Sequence, residues 1–258
     1  MKFSRILLFT LFPLSLALGG GKHLEIMAPM SLQHDFQGKP HQVIERCHEE
    51  ESGKAPKLLS TKRSEFDQDG NVVRIEEVDE VEKTKETETY QYDAEGTWTV
   101  LVEQSGSDLP ITYRIFLDKA SRRIAHVDGR SKETEFYTYS EQGFEMGTIK
   151  KTAAGQVVEQ VTMKRNALNK EEHVLFEEKG KKAFELSIRW SDKGFQTHEE
   201  MILHAEGGDR FVTTYEYPEV DAAGNWIVRI KKQVMVQANG ERVSVPDEVC
   251  KREIKYHP

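Results

Sequence analysis

Apolar and polar residues alternate along most of this chain with a period of two. Phe184, Leu186, Ile188 and Trp190 interleave with Glu185, Ser187 and Arg189, and Trp98, Val100 and Val102 interleave with Thr99, Leu101 and Glu103. Successive side chains of a β-strand point to opposite faces, so this pattern predicts strands with one face richer in apolar residues and one richer in polar ones. The fullest example is Tyr215–Ile230, YEYPEVDAAGNWIVRI, in which an alternating run meets Asp221, Gly224 and Asn225 and returns through Trp226, Val228 and Ile230. That is the sequence of a β-hairpin, with the tip supplying residues that tolerate positive φ.

Versions of this hairpin recur. Tips of the form aromatic, Asp, two residues, Gly stand at Phe66–Gly70 and Tyr92–Gly96; Tyr139–Gly143 and Trp190–Gly194 carry Ser in place of Asp, and Leu117–Ser121 and Asn166–Asn169 are degenerate copies. Counted at positions 67, 93, 118, 140, 166, 191 and 221, the spacings are 26, 25, 22, 26, 25 and 30 residues. A period of roughly 25 is too long for one strand and too short for a four-stranded propeller blade, so each unit is one two-stranded hairpin. Turn residues lie midway, at Ser105–Asp108, Val127–Arg130, Ala153–Gln156, Glu178–Lys181, Glu206–Asp209 and Ala238–Glu241. The charged stretch Val78–Glu88 reads as strand, loop, strand. Pro218, Glu219 and Val220 lengthen the approach to Asp221, which predicts that this tip is the irregular one. The fold class is therefore all-β, about 14–16 antiparallel strands in consecutive hairpins, a meander forming a curled or closed sheet.

The ends divide differently. Lys2 and Arg5 precede an apolar run from Ile6 to Leu18 and the small residues Ala17 and Gly19. That run is shorter than the roughly 20 residues needed to span a bilayer, and it reads as a cleaved secretory signal over residues 1–19. Residues 20–36 read as a linker or covering segment, and residues 37–258 as a single hairpin-repeat domain. The chain holds 36 Lys and Arg against 44 Asp and Glu, a formal charge of −8; loss of Lys2 and Arg5 with the signal makes it −10. An acidic chain without a basic stripe excludes a nucleic-acid partner. No later stretch reaches transmembrane length, and the polar strand faces rich in Glu, Lys, Thr and Gln disfavour an outer-membrane barrel, whose outward face must be apolar.

The two cysteines test the curl. Cys47 falls in the first strand and Cys250 in the last. In an extended sheet of 15 strands these would lie roughly 65 Å apart, whereas a disulfide needs Cα atoms within about 7 Å. Either the two are bonded and the sheet rolls up, or they are two buried or reduced thiols.

The tips Tyr90-Gln91-Tyr92-Asp93 with Gly96, Phe66-Asp67 with Gly70-Asn71, and Tyr215-Glu216-Tyr217 with Asp221 and Gly224-Asn225-Trp226 resemble those of YD-repeat proteins of the rearrangement-hotspot type, above all small secreted bacterial proteins built of such hairpins. The resemblance covers roughly Gln37 to Tyr256. It implies the hairpin unit and an extracytoplasmic location; the larger relatives use curled sheets to enclose toxins or to present surfaces for carbohydrate and protein contacts. This chain is far shorter and carries no appended toxin segment.

Motif chemistry is sparse. His198, Glu200 and His204 share one face of a regular strand, but the outer two lie about 20 Å apart in an extended chain, too far to hold one ion. Asp67, Asp69 and Asn71 imitate the start of a calcium loop, yet its twelfth position is Val78 rather than Glu, so they read as a turn. No metal site and no cofactor are expected, and no catalytic residue is assigned. The tip-proximal aromatics Trp98, Trp226, Tyr217 and Tyr92 are the candidate binding residues, because flat rings suit a sugar or the apolar patch of a partner. The functional expectation is a secreted or periplasmic, non-enzymatic protein that binds an envelope protein or a glycan. The alternatives are a structural scaffold or shell and, third, a polysaccharide hydrolase, whose carboxylate pair is visible only in three dimensions.

Overall fold

The structure is a computed structural model that describes residues 36–92, 98–106, 109–118, 123–128, 133–140, 145–167, 169–204 and 208–257. The signal and all of the linker except Phe36 lie outside these residues. All regular structure among these residues is β: β1 (Pro40–Glu50), β2 (Lys57–Phe66), β3 (Val72–Asp79), β4 (Thr84–Tyr92), β5 (Trp98–Ser105), β6 (Ile111–Asp118), β7 (Arg123–Asp128), β8 (Thr134–Tyr139) and β9 (Glu145–Lys151). The second half continues with β10 (Val157–Arg165), β11 (Glu171–Glu178), β12 (Lys181–Trp190), β13 (Gln196–Leu203), β14 (Arg210–Val220), β15 (Trp226–Val236), β16 (Arg242–Ser244) and β17 (Asp247–Tyr256). The 17 strands exceed the expected 14–16, in part because the Gly240 hairpin adds the three-residue β16 before the chain turns into β17.

Every ladder is antiparallel, and each strand from β1 to β15 pairs with the next in sequence. β15 then pairs with both β16 and β17, and β17 pairs with β1 from Pro40↔Tyr256 to Glu50↔Asp247. The meander thus curls until its first and last strands meet, and the ladders run in a circuit in which, among the described strands, only β16 is flanked on one side. An edge strand exposes unpaired N–H and C=O groups that invite aggregation, and this circuit removes the long edges.

The hairpin tips explain the repeat. Asp67 N–H donates to Asn71 O at 2.9 Å and Gly70 N–H to Asp67 O at 3.1 Å; Ser191 with Phe195 and Gly194, and Asp221 with Asn225 and Gly224, repeat both bonds. Gly70, at φ +90°, closes a type I turn in the left-handed region, where a side chain is strained. Thr152–Gln156 and Gln237–Glu241 use the same bonds at the opposite end of the sheet, and the degenerate Asn166–Lys170 tip uses them with Asn169 at φ 57° in the glycine position. The Asp221 tip is regular: the extra residues Pro218–Val220 are absorbed as register shifts within β14, between Glu216 and Val220. Val78–Glu88 is strand, loop, strand, its loop held by Asp79 Oδ1, which accepts from the amides of Val81 at 2.7 Å and Glu82 at 2.8 Å.

Residues directly opposite in an antiparallel ladder share a face, so the registers sort the side chains into two sets. One runs through Cys47, Ser64, Ile75, Tyr90, Leu101, Tyr137, Thr148, Met201, Phe211, Thr213, Gln233 and Cys250, all buried. This is the inner face of the curl. The other carries exposed ion pairs, among them Arg46–Glu253 at 2.7 Å, Arg63–Glu65 at 2.8 Å, Arg74–Glu76 at 3.0 Å and Lys232–Glu216 at 2.6 Å.

Candidate binding face

Four of the residues singled out from the sequence meet at the seam where β1, β15 and β17 join. Cys47 and Cys250 are register partners and form a disulfide, with Cα atoms 4.0 Å apart. Trp226 packs on this cystine, and Tyr217 and Phe195 pack against the group; the Tyr217 and Phe195 rings stack at 4.8 Å. Arg252 lies over the Trp226 ring at 3.4 Å from its centroid and over Phe36 at 4.9 Å, while its Nε donates to Glu45 Oε2 at 2.7 Å. Arg229 stands 4.9 Å from the Trp226 centroid, donates to Glu45 Oε1 at 3.4 Å and to the Cys250 sulfur at 3.3 Å, and faces Glu248 at 3.8 Å. Burial raises the Glu45 carboxyl, but the charges of Arg252 and Arg229 outweigh it and hold the group below its ordinary range. Glu45, Cys47 and Cys250 also lie close enough to suggest a metal site, but both sulfurs are committed to the disulfide.

The other two candidates stand apart. The Tyr92 hydroxyl donates to Val72 O at 2.5 Å, and burial, then the charge of Asp67, push it up. Trp98 opens β5 and pairs with Tyr92 through the backbone; its ring lies outside the described side chains. Of the histidine set, Glu200 is engaged by Arg210 at 3.0 Å and His204 by Glu185 at 3.5 Å. In the calcium-like tip, Asp67 Oδ1 accepts from the amides of Asp69 at 2.9 Å and Asn71 at 2.8 Å, as the turn reading requires.

Asn225, expected from the sequence only as a turn residue of positive φ, which it does not adopt, and His257, not singled out from the sequence, hold the chain ends. Asn225, 1% exposed, accepts from Gln37 N–H through Oδ1 at 2.5 Å, and its amide donates to Gln37 O at 2.9 Å and to the Tyr256 hydroxyl at 2.7 Å. The Tyr256 hydroxyl in turn donates to Asp221. At the Asp67 tip, His257 Nε2 lies 2.9 Å from Asp67 O, and His257 N–H donates to Lys39 O at 2.9 Å. The available signal was the Asn after the tip glycine, present at Asn71 and Asn225.

Away from the seam the inner face divides into arcs. On β10–β15 it carries two apolar rows along the ladders: Val161, Phe176, Phe184 and Leu203, and beside them Met163, Val174, Leu186, Met201, Phe211 and Met235. Phe176 and Phe184 stack at 5.0 Å. Most of these side chains are only partly buried, Met201 and Phe211 being the exceptions. On β3 and β4 the same face carries Glu77, Glu86 and Glu88, with Lys62 4.0 Å from Glu77. Burial first, and the carboxylates of Glu45, Glu86 and Glu88, raise Glu77 against the opposing charge of Lys62.

Between the arcs, Glu145 opens β9 beside Tyr139. It is 1% exposed, and among the described residues neither carboxyl oxygen nor the Tyr139 hydroxyl has a hydrogen-bond partner. Arg165 is spent elsewhere: its Nε donates to the Glu145 carbonyl at 2.7 Å and its Nη1 reaches Asn169 O at 2.7 Å and Glu171 at 3.0 Å. Burial pushes the Glu145 carboxyl up to about 8, with Arg165 opposing and Glu135 and Glu171 adding to the rise.

No family model and no curated protein matches the chain. Among solved structures it is similar to a porin-like protein from Bacteroides uniformis ATCC 8492, at 13% identity and TM-score 0.40 over 85% of this chain and 99% of that one. A porin-like protein from Bacteroides vulgatus ATCC 8482 is similar at 10% identity and TM-score 0.42, over 86% and 99%. The TcdB2–TccC3–Cdc42 structure is similar at 10% identity and TM-score 0.35, over 77% of this chain and 12% of that one.

Proposed function

We propose that this chain is an extracytoplasmic, non-enzymatic β-hairpin-repeat protein of the bacterial envelope that holds a segment of an envelope protein against the inner face of its curled sheet. The observation that carries this reading is the apolar arc on β10–β15, whose Phe176, Phe184 and Leu186 stay partly uncovered. Half-buried apolar side chains set side by side in this way offer a contact surface to a partner. Two further observations agree with it. A disulfide persists in an oxidising compartment, which fits secretion. The ion pairs on the outer face stand where a lipid-facing belt would be apolar, which fits a water-facing wall.

The glycan alternative rests on open aromatic platforms. Trp226 is covered by Arg252 and the cystine, and Tyr217 by Phe195, which counts against these rings as a contact for a sugar or for a partner and leaves the apolar arc as the candidate. The scaffold reading takes its support from the same covered rings. Photo-crosslinking separates the two. A benzophenone amino acid at Leu186, on the inner face, is expected to trap one defined envelope protein in intact cells, and the same probe at Ser187, on the outer face, is not. Equal adducts at both positions, or none at either in correctly folded protein, would leave the scaffold reading standing.

A further inference from the structure

Two tripeptides of one pattern meet at the seam. Glu45-Arg46-Cys47 lies on β1 and Glu248-Val249-Cys250 on β17, and the antiparallel register sets Cys47 directly opposite Cys250. Residues two apart on a strand share a face, so each cysteine has a glutamate beside it on its own strand, and the antiparallel pairing sends the two glutamates to opposite sides of the cystine. The side chains follow that plan. Glu45 Oε1 lies 3.6 Å from Cys47 Sγ, and Glu248 Oε1 lies 3.3 Å from Cys250 Sγ. One ligand atom each from Glu45, Cys47 and Cys250 falls within 4.8 Å of the other two.

The second oxygen of each carboxylate is turned to a basic residue. Arg252 Nε donates to Glu45 Oε2 at 2.7 Å, and Lys231 Nζ lies 3.9 Å from Glu248 Oε2. Arg229 stands between the two glutamates, 3.4 Å from Glu45 Oε1 and 3.8 Å from Glu248 Oε1. The Glu45 and Glu248 side chains are only 16% and 18% exposed, and Cys250 is fully buried. Ligands of a metal ion are oriented in this way by groups behind them. A disulfide sulfur carries no proton, so in the oxidised chain neither carboxylate gains a hydrogen bond from the sulfur it faces. A pair of thiolates sharing a cation with the carboxylates would make use of both contacts.

We infer that, independently of the partner reading above, reduction of the Cys47–Cys250 bond turns the seam into a site for one divalent metal ion of the zinc class, held by both thiolates and Glu45, with Glu248 as the fourth ligand. A dithiol supplies the two electrons. One of its sulfurs attacks a cystine sulfur, its second attacks the mixed disulfide, and it leaves as a cyclic disulfide while Cys47 and Cys250 take up its two protons. Binding of the ion releases those two protons, because the ligands are thiolates. Three atoms no more than 4.8 Å apart leave a point within about 2.8 Å of each, so small shifts reach the roughly 2.3 Å and 2.0–2.2 Å of zinc–sulfur and zinc–oxygen bonds. Cleavage lets the sulfurs part, each towards its own glutamate. The charges also close: two thiolates and two carboxylates stand against one divalent ion, Arg229 and Arg252.

The test uses the full mature chain, reduced with excess dithiol, freed of it by anaerobic gel filtration, and titrated with Co²⁺ as a spectroscopic stand-in for Zn²⁺. A sulfur-to-cobalt charge-transfer band and the visible bands of a four-coordinate ion are expected, saturating at one ion per chain and lost on addition of Zn²⁺. The oxidised chain, identical in sequence, should show neither. Zn²⁺ should raise the Tm of the reduced chain and not of the oxidised one. Glu248→Gln should keep the charge-transfer band and weaken Co²⁺ binding at least tenfold. Thiol titration counts the free cysteines and circular dichroism reports the fold. If reduction unfolds the chain, Zn²⁺ should refold it, because cysteines with a sequence separation of 203 meet only in the folded sheet. Two free thiols without a charge-transfer band, an equal band from the oxidised chain, or failure of Zn²⁺ to refold a chain that reduction has unfolded overturns the site. Unchanged affinity in Glu248→Gln overturns the fourth ligand.

Discussion

Glu145 is a buried carboxyl with no hydrogen-bond partner among the described residues, and that burial bears on stability. Its carboxyl is raised from 4.5 to about 8, chiefly by burial. In the folded chain it keeps its proton up to about pH 8, and in the unfolded chain it loses it at about pH 4.5. Between these values the folded state binds more protons, so stability falls as pH rises from about 4.5 to about 8 and is flat beyond. The full effect is about 3.5 pH units at 1.36 kcal/mol each, or about 5 kcal/mol, to be read as an order of magnitude. Glu145→Gln keeps the shape and cannot ionise. It leaves an unpaired amide that costs about 1–3 kcal/mol at every pH, so the pH dependence is the informative part. Urea unfolding followed by tryptophan fluorescence at pH 5, 7 and 9 measures it, wild type against variant. At pH 5 the variant should be equal to or weaker than wild type, and at pH 9 it should be the more stable by several kcal/mol relative to that baseline. A difference that does not change between pH 5 and pH 9 would refute the assignment, because it would mean that Glu145 is charged, or finds a partner, in the folded chain.

Other perturbations give separate readouts. Replacing both cysteines, Cys47→Ala with Cys250→Ala, opens a loop with a sequence separation of 203, for which chain entropy predicts a loss of about 5 kcal/mol and a Tm lower by roughly 10–20 °C by calorimetry. Glu45→Gln leaves Arg229 and Arg252 without their shared carboxylate and should cost about 3–5 kcal/mol in urea unfolding. Gly147→Ala should cost more than about 3 kcal/mol, since the new Cβ would lie 2.2 Å from Val161 O at a φ of +152°, and expression as soluble protein should fall accordingly. Asn225→Ala removes three hydrogen bonds to Gln37 and Tyr256, about 3 kcal/mol in sum, and limited proteolysis should then cut near Gln37 before the sheet is attacked.

The hairpins were legible because each is decided locally. Alternation over eight or ten residues and a glycine such as Gly70 or Gly224 at the left-handed position specify strand, turn and register with no help from elsewhere. The Asn166 tip was undervalued because Asn169 does the work of a glycine there, which asparagine can. The disturbance at Pro218–Val220 was placed at the tip, whereas a β-strand takes up extra residues as a bulge within its ladder. The candidate site was legible only in part. Trp226, Tyr217 and the two cysteines could be singled out, but their grouping with Arg229, Arg252 and Glu45 follows from β1 lying beside β17, a contact between residues about 200 positions apart that no local pattern encodes.

That long-range contact also explains the crowding of special residues at one place. Closing a loop is entropically costly, and the cost grows slowly with length, so the β1–β17 ladder is the step in the circuit with the least local help. The disulfide, the Glu45–Arg252–Arg229 group, the stack on Trp226 and the two Asp-x-x-Gly-Asn tips all act on that junction. The inner arcs on β3–β4 and β10–β15 carry no such group among the described residues, and they mix buried side chains such as Tyr90 and Phe211 with partly exposed ones such as Glu88 and Phe176.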